Sequence, residues 1–293
     1  MPVVPRRTLG RTGAEVSILG LGLGSAYWRT FDNRPDEAEE ILLRAFSYGI
    51  NYFDTSRNYG NSELLAAPAV ERIRDGIFLV SKSGSRDYDG YRADLETSLE
   101  NLRTDHLDLY HIHNLNPNTD ADLDLIENGA VRAAREAKEQ GLIRNIGITG
   151  HSGTGILMEA IRRWDPDVIL TTYPADRPED GAYEDKLLPL ALERNMGVVA
   201  MKAIRRARDT DWPALQLIRY PMSLPGIATT IVGLDSIAHL DENAAMASAF
   251  EPMDAAEMAE MSRLIRSELA GLGPAPWDRP GYRDGQPGSW TLA

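Results

Sequence analysis

The chain has 293 residues, no cysteine and a formal net charge of −13, with a pI near 4.9. Without cysteine there can be no disulfide, no thiolate nucleophile and no cysteine-ligated metal centre. The acidic balance argues against a nucleic-acid or anionic-membrane partner, although a local basic pocket could still hold a phosphate.

The first residues, MPVVPRRTLGRTGAEV, lack the continuous apolar core of a secretory signal peptide. No apolar run approaches the length that spans a bilayer. The lack of cysteine fits the cytosol, so we expect a cytoplasmic protein that binds neither membrane nor nucleic acid. The oligomeric state is left open.

Eight short runs rich in branched and aromatic residues predict strands, and most are bounded by Gly, Asn or Asp. The runs are 16–24, 50–54, 76–82, 107–113, 143–149, 167–173, 197–202 and 228–233. Between and after them, apolar residues follow helical spacing. These helical segments are 36–48, 62–73, 90–103, 129–140, 156–164, 184–194, 212–220, 236–248 and 254–269.

Regular alternation of strand and helix favours a parallel sheet with helices outside it. Eight such units in about 250 residues are typical of a closed (β/α)8 barrel, and a doubly wound open sheet is the alternative. We predict one domain over 1–293, with the barrel at about 16–250 and an extra helix at about 254–269. The segment RRTLGRTGAEV predicts a small hairpin at the barrel floor. The Gly/Pro-rich tail, 271–293, carries aromatic residues that could dock at the barrel mouth.

Reactive side chains stand at the ends of three consecutive predicted strands. The second strand ends at Asp54, and the turn after it carries Tyr59. The third and fourth strands end at Lys82 and His113. The carboxyl ends of parallel barrel strands meet at one rim, where the active sites of such barrels lie. The sequence therefore predicts that an acid, a phenol, an amine and an imidazole meet there.

These four residue types can together protonate a carbonyl oxygen. A phenol has an ordinary pKa near 10, so it needs about 4 kcal/mol of differential stabilisation to act as an acid near neutral pH. An ammonium ~4 Å away supplies ~1 kcal/mol in water but ~4 kcal/mol at an effective dielectric constant near 20. Lys82 could thus activate Tyr59 in a partly dry site. Asp54 would hold Lys82 charged, and His113 could donate to the carbonyl oxygen.

In these segments the sequence resembles the aldo-keto reductase family. The matching segments are LGRTGAEVSILGLGLG, FDTSRNYGNSE, FLVSK, DLYHIHN, LIRNIGITGHS, MSLPGIATTIVG and LDENAA, and they cover about residues 6–250. The resemblance implies a (β/α)8 barrel that reduces an aldehyde, ketone or sugar, with NADPH or NADH as the hydride donor. It implies a catalytic tetrad in which Tyr59 is the proton donor. The members are Asp54, Tyr59, Lys82 and His113.

The resemblance also implies cofactor contacts around the rim. The implied residues are Gly22, Gly24, Ser25, Asp54, Thr149, Gly150, Leu170, Met201, Lys202, Gly233, Asp235, His239, Glu242 and Asn243. Three of them depart from the family pattern. Gly150, Leu170 and Met201 stand where the family often has asparagine, glutamine and an aromatic residue. These departures leave fewer polar side chains to bind nicotinamide.

The segment after the last strand bears on the choice of cofactor. Family members that favour NADPH often have basic residues there, whereas this chain has Asp235, Ser236 and His239. An acid beside a 2′-phosphate is unfavourable, but an acid near a ribose 2′-hydroxyl can accept a hydrogen bond. We therefore expect a weakened preference for NADPH, with NADH tolerated or preferred. The arginines after the seventh strand either face solvent or hold an anion. They are Arg205, Arg206 and Arg208.

Substrate contacts are predicted at Tyr27, Trp28 and Asn114, which suggest a polar, sugar-like carbonyl compound. Three other functions stay open. His111 and His113 share a strand face and could begin a metal site of a barrel hydrolase, although the chain has only five histidines. The others are a cofactor-binding barrel with little turnover and an NAD-linked sugar or alcohol dehydrogenase.

Overall fold

Eight parallel strands close into a barrel in the computed structural model, which describes residues 2–176, 182–204, 207 and 210–270. An antiparallel hairpin of β1 (Arg6–Thr8) and β2 (Glu15–Ser17) precedes the barrel. The barrel strands are β3 (Leu19–Gly22), β4 (Tyr52–Asp54), β5 (Phe78–Ser83), β6 (Leu107–Ile112), β7 (Ile143–Thr149), β8 (Val168–Thr172), β9 (Gly197–Met201) and β10 (Ile227–Gly233). They follow one another around the barrel in chain order, and β10 closes on β3. The predicted (β/α)8 fold is confirmed.

Helices connect the strands on the outside of the barrel. Within the described residues they are α1 (Ser25–Phe31), α2 (Pro35–Ser47), α3 (Ser62–Ile73), α4 (Tyr88–Leu102), α5 (Leu123–Ile126), α6 (Arg132–Glu139), α7 (Thr154–Trp164), α8 (Leu188–Glu193), α9 (Ala214–Ser223), α10 (Ile237–Ser248) and α11 (Ala255–Glu268). Two π-helical segments, Glu127–Val131 and Ala182–Leu187, lead into α6 and α8. None of these helices combines the length and apolar character needed to cross a bilayer. The predicted tail, 271–293, lies outside the described residues.

The first predicted strand, 16–24, is divided in the structure. β2 pairs only with β1, and pairing within the barrel begins with β3. The amide of Ile18 donates to the carbonyl of Pro5, while the carbonyl of Ile18 accepts from the amide of Thr230. The chain therefore changes its pairing partner at Ile18. Helix α1 was not predicted, because its seven residues offer a single apolar pair, Tyr27 and Phe31, to mark a helical face.

The N-terminal hairpin closes the floor of the barrel, as predicted. Leu9 is fully buried in the apolar cluster of the interior. Gly10 follows with a φ of +48° and lies against the start of β9, where a β-carbon would come within 2.3 Å of the backbone nitrogen of Gly197. Only glycine satisfies both that conformation and that space. Arg11 then pairs with Asp165 at 3.1 Å, which fastens the hairpin to the barrel.

Side chains of the barrel strands alternate between the interior and the helices. The interior apolar cluster consists of Leu9, Val16, Tyr52, Phe78, Val80, Leu109, Val168, Leu170, Val199, Met201 and Ala228. A larger cluster lies between the strands and the helices. Because inward positions recur every two residues, the inward rows of β4, β5 and β6 lead up to Asp54, Lys82 and His113. The strand period therefore delivers three reactive side chains to one rim.

Candidate active site

Asp54 and Lys82 form a buried ion pair at the carboxyl ends of β4 and β5. Nζ of Lys82 lies 2.6 Å from Oδ1 of Asp54, and the two side chains are 1% and 2% exposed. Nζ also donates to the carbonyl oxygen of Thr55 at 2.7 Å. Because the pair is shielded from bulk solvent, these contacts with the protein help to keep both charges in place.

Tyr59 lies in the loop after β4, and its ring covers the ammonium of Lys82. Nζ is 5.0 Å from the ring centroid. On another side the ring meets Gly24, where a β-carbon would lie 3.6 Å from Cε2 of Tyr59. The ring of His113 packs edge-on against Tyr59, with centroids 5.6 Å apart. The structure thus brings all four predicted catalytic residues together around one phenol.

His113 directly follows β6 and is oriented by a serine. Its amide donates to the carbonyl of Ser83, and its Nδ1 lies 3.1 Å from Oγ of Ser56. When Ser56 donates its hydroxyl hydrogen to Nδ1, the ring proton resides on Nε2, which can then donate to a ligand. Sequence reasoning missed Ser56. Its position two residues after Asp54, in the same turn as Tyr59, was the available signal.

The loop that carries Tyr59 is anchored by a buried carboxylate. Glu63, at the start of α3, is 1% exposed and accepts hydrogen bonds from Ser81 at 2.7 Å and from Arg57 at 3.2 Å. The amide of Arg57 also donates to the carbonyl of Lys82 at 3.0 Å. These bonds tie the loop to β5 on both sides of the phenol, so the position of Tyr59 does not depend on the loop alone.

Gly22 lies at the end of β3, opposite Asp54 on one side and Gly233 on the other. A β-carbon at Gly22 would come within 3.3 Å of the carbonyl oxygen of Val232. The predicted contact Ser25 begins α1 just beyond. Because side chains are missing at Gly22 and Gly233, the strand backbones are open to a ligand on this part of the rim.

The predicted contacts on β7, β8 and β9 lie on the opposite part of the rim. Thr149 stands beside Leu170 in strand register, and both are 1% exposed. The hydroxyl oxygen of Thr149 accepts from the amide of Asn114 at 2.7 Å. Met201 ends β9, and Lys202 follows it in a left-handed conformation with a φ of +60°. This side of the rim thus combines the apolar side chains of Leu170 and Met201 with the polar side chains of Thr149 and Lys202.

Gly150 is a glycine because of packing. A β-carbon there would lie 2.8 Å from the carbonyl oxygen of Leu115 and 2.9 Å from Cδ2 of Leu157. The carbonyl of Gly150 accepts from the hydroxyl of Thr171 at 2.7 Å. The amide side chain that the family often carries at this position therefore has no room in this chain.

The last group of predicted contacts lies at the start of α10. Ser236 caps the helix and accepts from the amide of His239 at 3.2 Å. Oδ1 of Asp235 lies 2.7 Å from Nδ1 of His239, and this hydrogen bond raises the pKa of His239 above its ordinary value. Glu242 is exposed and Asn243 is half-buried one turn further. The acid predicted near the ribose thus faces solvent with a histidine as its partner.

The structure corrects the prediction for Tyr27. This residue is 0% exposed, its ring lies 5.4 Å from that of Phe31, and its hydroxyl points to the carbonyl of Ala38 at 3.3 Å. Tyr27 and Phe31 lie one turn apart on the inward face of α1. Tyr27 therefore packs in the core under the helix and does not line the rim.

Trp28 and Asn114 each keep a buried polar atom without a hydrogen-bond partner among the described residues, Nε1 and Oδ1 respectively. The indole packs on Gly60, where a β-carbon would lie 3.0 Å from Cδ2. Asn114 has a φ of +53°, and its carbonyl accepts from Arg86 at 3.1 Å. Both residues adjoin catalytic candidates, since Gly60 follows Tyr59 and Asn114 follows the rim histidine.

Two sequence hypotheses receive no structural support. Arg205, Arg206 and Arg208 lie outside the described residues. Over the ranges that the structure describes, no group of three or more His, Asp and Glu side chains could hold a metal ion. His111 is 0% exposed inside the barrel, so the HIH segment supplies no ligand set there.

The barrel thus brings a phenol, an ammonium, a carboxylate and an imidazole together at one rim. The model of the aldo/keto reductase family matches residues 18–212, which include all four rim residues. The chain belongs to the aldo/keto reductase family.

Named relatives cover nearly the whole chain. L-galactose dehydrogenase of Arabidopsis thaliana is 27% identical, and the match covers 90% of this chain and 95% of the relative. D-threo-aldose 1-dehydrogenase of a Pseudomonas species is 26% identical over 86% of this chain and 96% of the relative. An aldo-keto reductase from Klebsiella pneumoniae, solved in complex with NADPH, is 25% identical with a TM-score of 0.74 over 90% and 96% of the two chains.

Proposed function

We propose that this protein transfers hydride between a nicotinamide cofactor and the carbonyl carbon of an aldehyde, ketone or sugar, with Tyr59 as the general acid. The observation that carries the proposal is the buried ammonium of Lys82, which lies 2.6 Å from Asp54 and 5.0 Å from the centroid of the phenol ring. Burial lowers the effective dielectric constant, so this charge acts strongly on the phenol.

When bound, the cofactor supplies or accepts the hydride, and the side chains of the rim handle the proton. Tyr59 donates its hydroxyl proton to the substrate oxygen as that oxygen gains negative charge. Lys82 stabilises the phenolate that remains. His113, oriented by Ser56, donates a hydrogen bond to the same oxygen and polarises the carbonyl. In the reverse direction the phenolate accepts the proton of the alcohol.

The rim fits a nicotinamide dinucleotide. The glycines of β3 and β10 leave backbone open for it, and the ends of β7, β8 and β9 contribute both apolar and polar residues. We assign to the cofactor Gly22, Gly24, Ser25, Asp54, Thr149, Gly150, Leu170, Met201, Lys202, Gly233, Asp235, His239, Glu242 and Asn243. The start of α10 suits a phosphate, because its amides point outward there. The NADPH bound to the related Klebsiella enzyme supports this class of cofactor.

We expect NADH to bind at least as tightly as NADPH. Asp235 would lie near the ribose, and a carboxylate ~4 Å from a 2′-phosphate costs ~1 kcal/mol even in water. Asp235→Ser should therefore increase NADPH affinity about 5-fold and leave NADH affinity nearly unchanged. Fluorescence titration of both cofactors measures this, with Asp75→Ser as a control at an exposed acid away from the rim. Clearly tighter NADPH binding by the unchanged protein would contradict the expectation.

We further propose that the substrate is a polar, sugar-like compound. Trp28 offers a donor and Asn114 an acceptor beside the catalytic group, and neither atom is satisfied by a described residue. A hydroxylated substrate could pair with both, whereas an apolar aldehyde would leave them unpaired. The two dehydrogenases among the relatives are named for sugars, which supports this class.

Asn114→Leu should lower kcat/KM for aldoses about 10-fold, which corresponds to the loss of one hydrogen bond of about 1.4 kcal/mol. An apolar aldehyde of similar size should be turned over as before, because it makes no use of the amide oxygen. Steady-state kinetics with both substrates on Asn114→Leu and Trp28→Phe test this. Equal losses for the two substrates would contradict a role in polar recognition.

A second candidate is the same chemistry run as oxidation, with NAD as the acceptor and a sugar as the donor. The names of the two sugar dehydrogenases favour it. A cofactor-coupled screen of aldehydes, ketones, sugars and alcohols, in both directions and with both cofactors, separates the candidates. If the protein bound cofactor but turned over no compound in that screen, both candidates would be excluded, and a cofactor-binding barrel without catalytic turnover would remain.

A further inference from the structure

Below the Asp54–Lys82 pair, the barrel interior holds polar atoms that no described residue satisfies. Tyr52 lies two residues before Asp54 on β4, so both side chains point inward. Tyr52 is 0% exposed, and its hydroxyl has no hydrogen-bond partner among the described residues. Its ring stacks on Phe78 with centroids 5.5 Å apart, which holds the hydroxyl in the interior.

Two further residues place buried polar atoms on the inward face of the barrel. Thr229 on β10 is 1% exposed, and its Oγ1 has no partner in the described part of the chain. His111 on β6 stands opposite Lys82 in strand register and is 0% exposed. Neither of its ring nitrogens forms a hydrogen bond of standard geometry with a described residue, although the ring interacts with the backbone of Ile148.

Two glycines accommodate these polar side chains at close contact. Gly20 lies between Thr229 and Tyr52, because a β-carbon there would be 3.0 Å from Oγ1 of the one and 3.1 Å from Cδ1 of the other. Gly147 lies against His111, where a β-carbon would come within 2.2 Å of Nδ1. Larger residues at either position would collide with the polar side chains.

The charge states of His111 and Tyr52 indicate which kind of ligand the interior could bind. Burial, then the charge of Lys82 and then the neighbouring His113 hold the pKa of His111 well below its ordinary value, and together they outweigh the opposing effect of the Ile148 backbone. His111 is therefore neutral, with one donor and one acceptor nitrogen. Burial and the charge of Asp54 raise the pKa of Tyr52 well above its ordinary value, so its hydroxyl keeps its proton.

We propose that this space is an internal hydration site, in which water molecules bound by Tyr52, Thr229 and His111 solvate the underside of the Asp54–Lys82 pair. Neutral donors and acceptors suit water. The opposite charges of Asp54 and Lys82 largely offset each other, so the pair favours neither a cation nor an anion as a further ligand. Folded proteins satisfy such buried polar groups with ordered water, and a buried ion pair needs further hydrogen bonds to stay charged.

A high-resolution crystal structure of the protein tests the hydration directly. Ordered water within hydrogen-bond distance of the Tyr52 hydroxyl or of Thr229 Oγ1 is the expected result. Crystals held under xenon gas provide the opposite test, because dry apolar cavities take up xenon and hydrated polar ones do not. Xenon density in this space, or no ordered water at either atom, would overturn the proposal.

The sign of a stability change gives a second test. Tyr52→Phe should lower Tm by roughly 2–4 °C, because bound water loses a partner while the ring keeps its stacking. If no water were bound, the buried hydroxyl would lack a hydrogen-bond partner and its removal would stabilise the protein. A higher Tm for Tyr52→Phe would therefore overturn the proposal. This measurement requires no turnover and so does not depend on the proposed function.

The effect on turnover rests on the proposed function. Tyr52→Phe combined with Thr229→Val should lower kcat/KM about 10-fold, because the ammonium of Lys82 loses solvation. Tyr91→Phe is the matched control. It also removes a buried hydroxyl without a described partner, but its ring packs on Tyr110 outside the barrel. Wild-type turnover in the double variant would overturn the solvating role, whereas an inactive wild-type protein would defeat the proposed function alone.

Discussion

Tyr59→Phe is expected to lower kcat/KM by about 10²–10⁴-fold, the usual contribution of a positioned general acid. Phenylalanine keeps the ring that packs against Gly24 and stands edge-on to His113. It removes only the hydroxyl, so the substrate oxygen loses its proton donor while the shape of the site is retained. Steady-state kinetics with the best carbonyl substrate, followed by cofactor absorbance, measure the loss.

Two measurements show whether the loss is chemical. Cofactor affinity, titrated by fluorescence, should be nearly unchanged in Tyr59→Phe, because the substitution leaves the rim backbone alone. Tyr88→Phe removes a phenol hydroxyl that donates to Glu136 on α6, outside the rim, and should turn over like the wild type. Wild-type kcat/KM in Tyr59→Phe would exclude Tyr59 as the acid.

The arrangement of the candidate catalytic residues could be predicted because it depends on short-range rules. Strands have a period of two, and parallel barrel strands end at one rim, so Asp54, Lys82 and His113 could be placed together from strand ends alone. The position of Tyr59, by contrast, is set by the conformation of the loop after β4. It needs contacts between segments that are separate in the sequence, such as the carboxylate of Glu63 with Ser81, which no periodicity records.

The features that sequence reasoning missed depend on packing. Tyr27 was predicted as a substrate contact without any prediction of α1, and only that helix turns the side chain into the core. Gly150 looked like a lost cofactor contact, whereas Leu115 and Leu157 leave no space for any side chain there. The sequence also gave no sign that the hydroxyl of Tyr52 lies in the barrel interior, since an aromatic residue in a strand normally indicates core packing.

Lys82→Met is expected to lower kcat/KM about 10²-fold. A unit charge 5.0 Å from the ring centroid of Tyr59 contributes about 3 kcal/mol at an effective dielectric constant near 20, and that stabilisation of the phenolate is lost with the ammonium. The substitution also leaves Asp54 buried without its counter-ion. Breaking a buried pair costs about 3–5 kcal/mol of stability, which corresponds to a fall in Tm of roughly 10 °C.

A double variant separates these two effects of Lys82. Asp54→Asn combined with Lys82→Met removes both charges, so no carboxylate is left buried without its partner, and most of the lost Tm should return. Turnover should stay as low as in Lys82→Met, because the phenol still lacks its ammonium. If the double variant recovered turnover together with stability, the single variant would have failed only through misfolding. The charge of Lys82 would then have no part in making Tyr59 an acid.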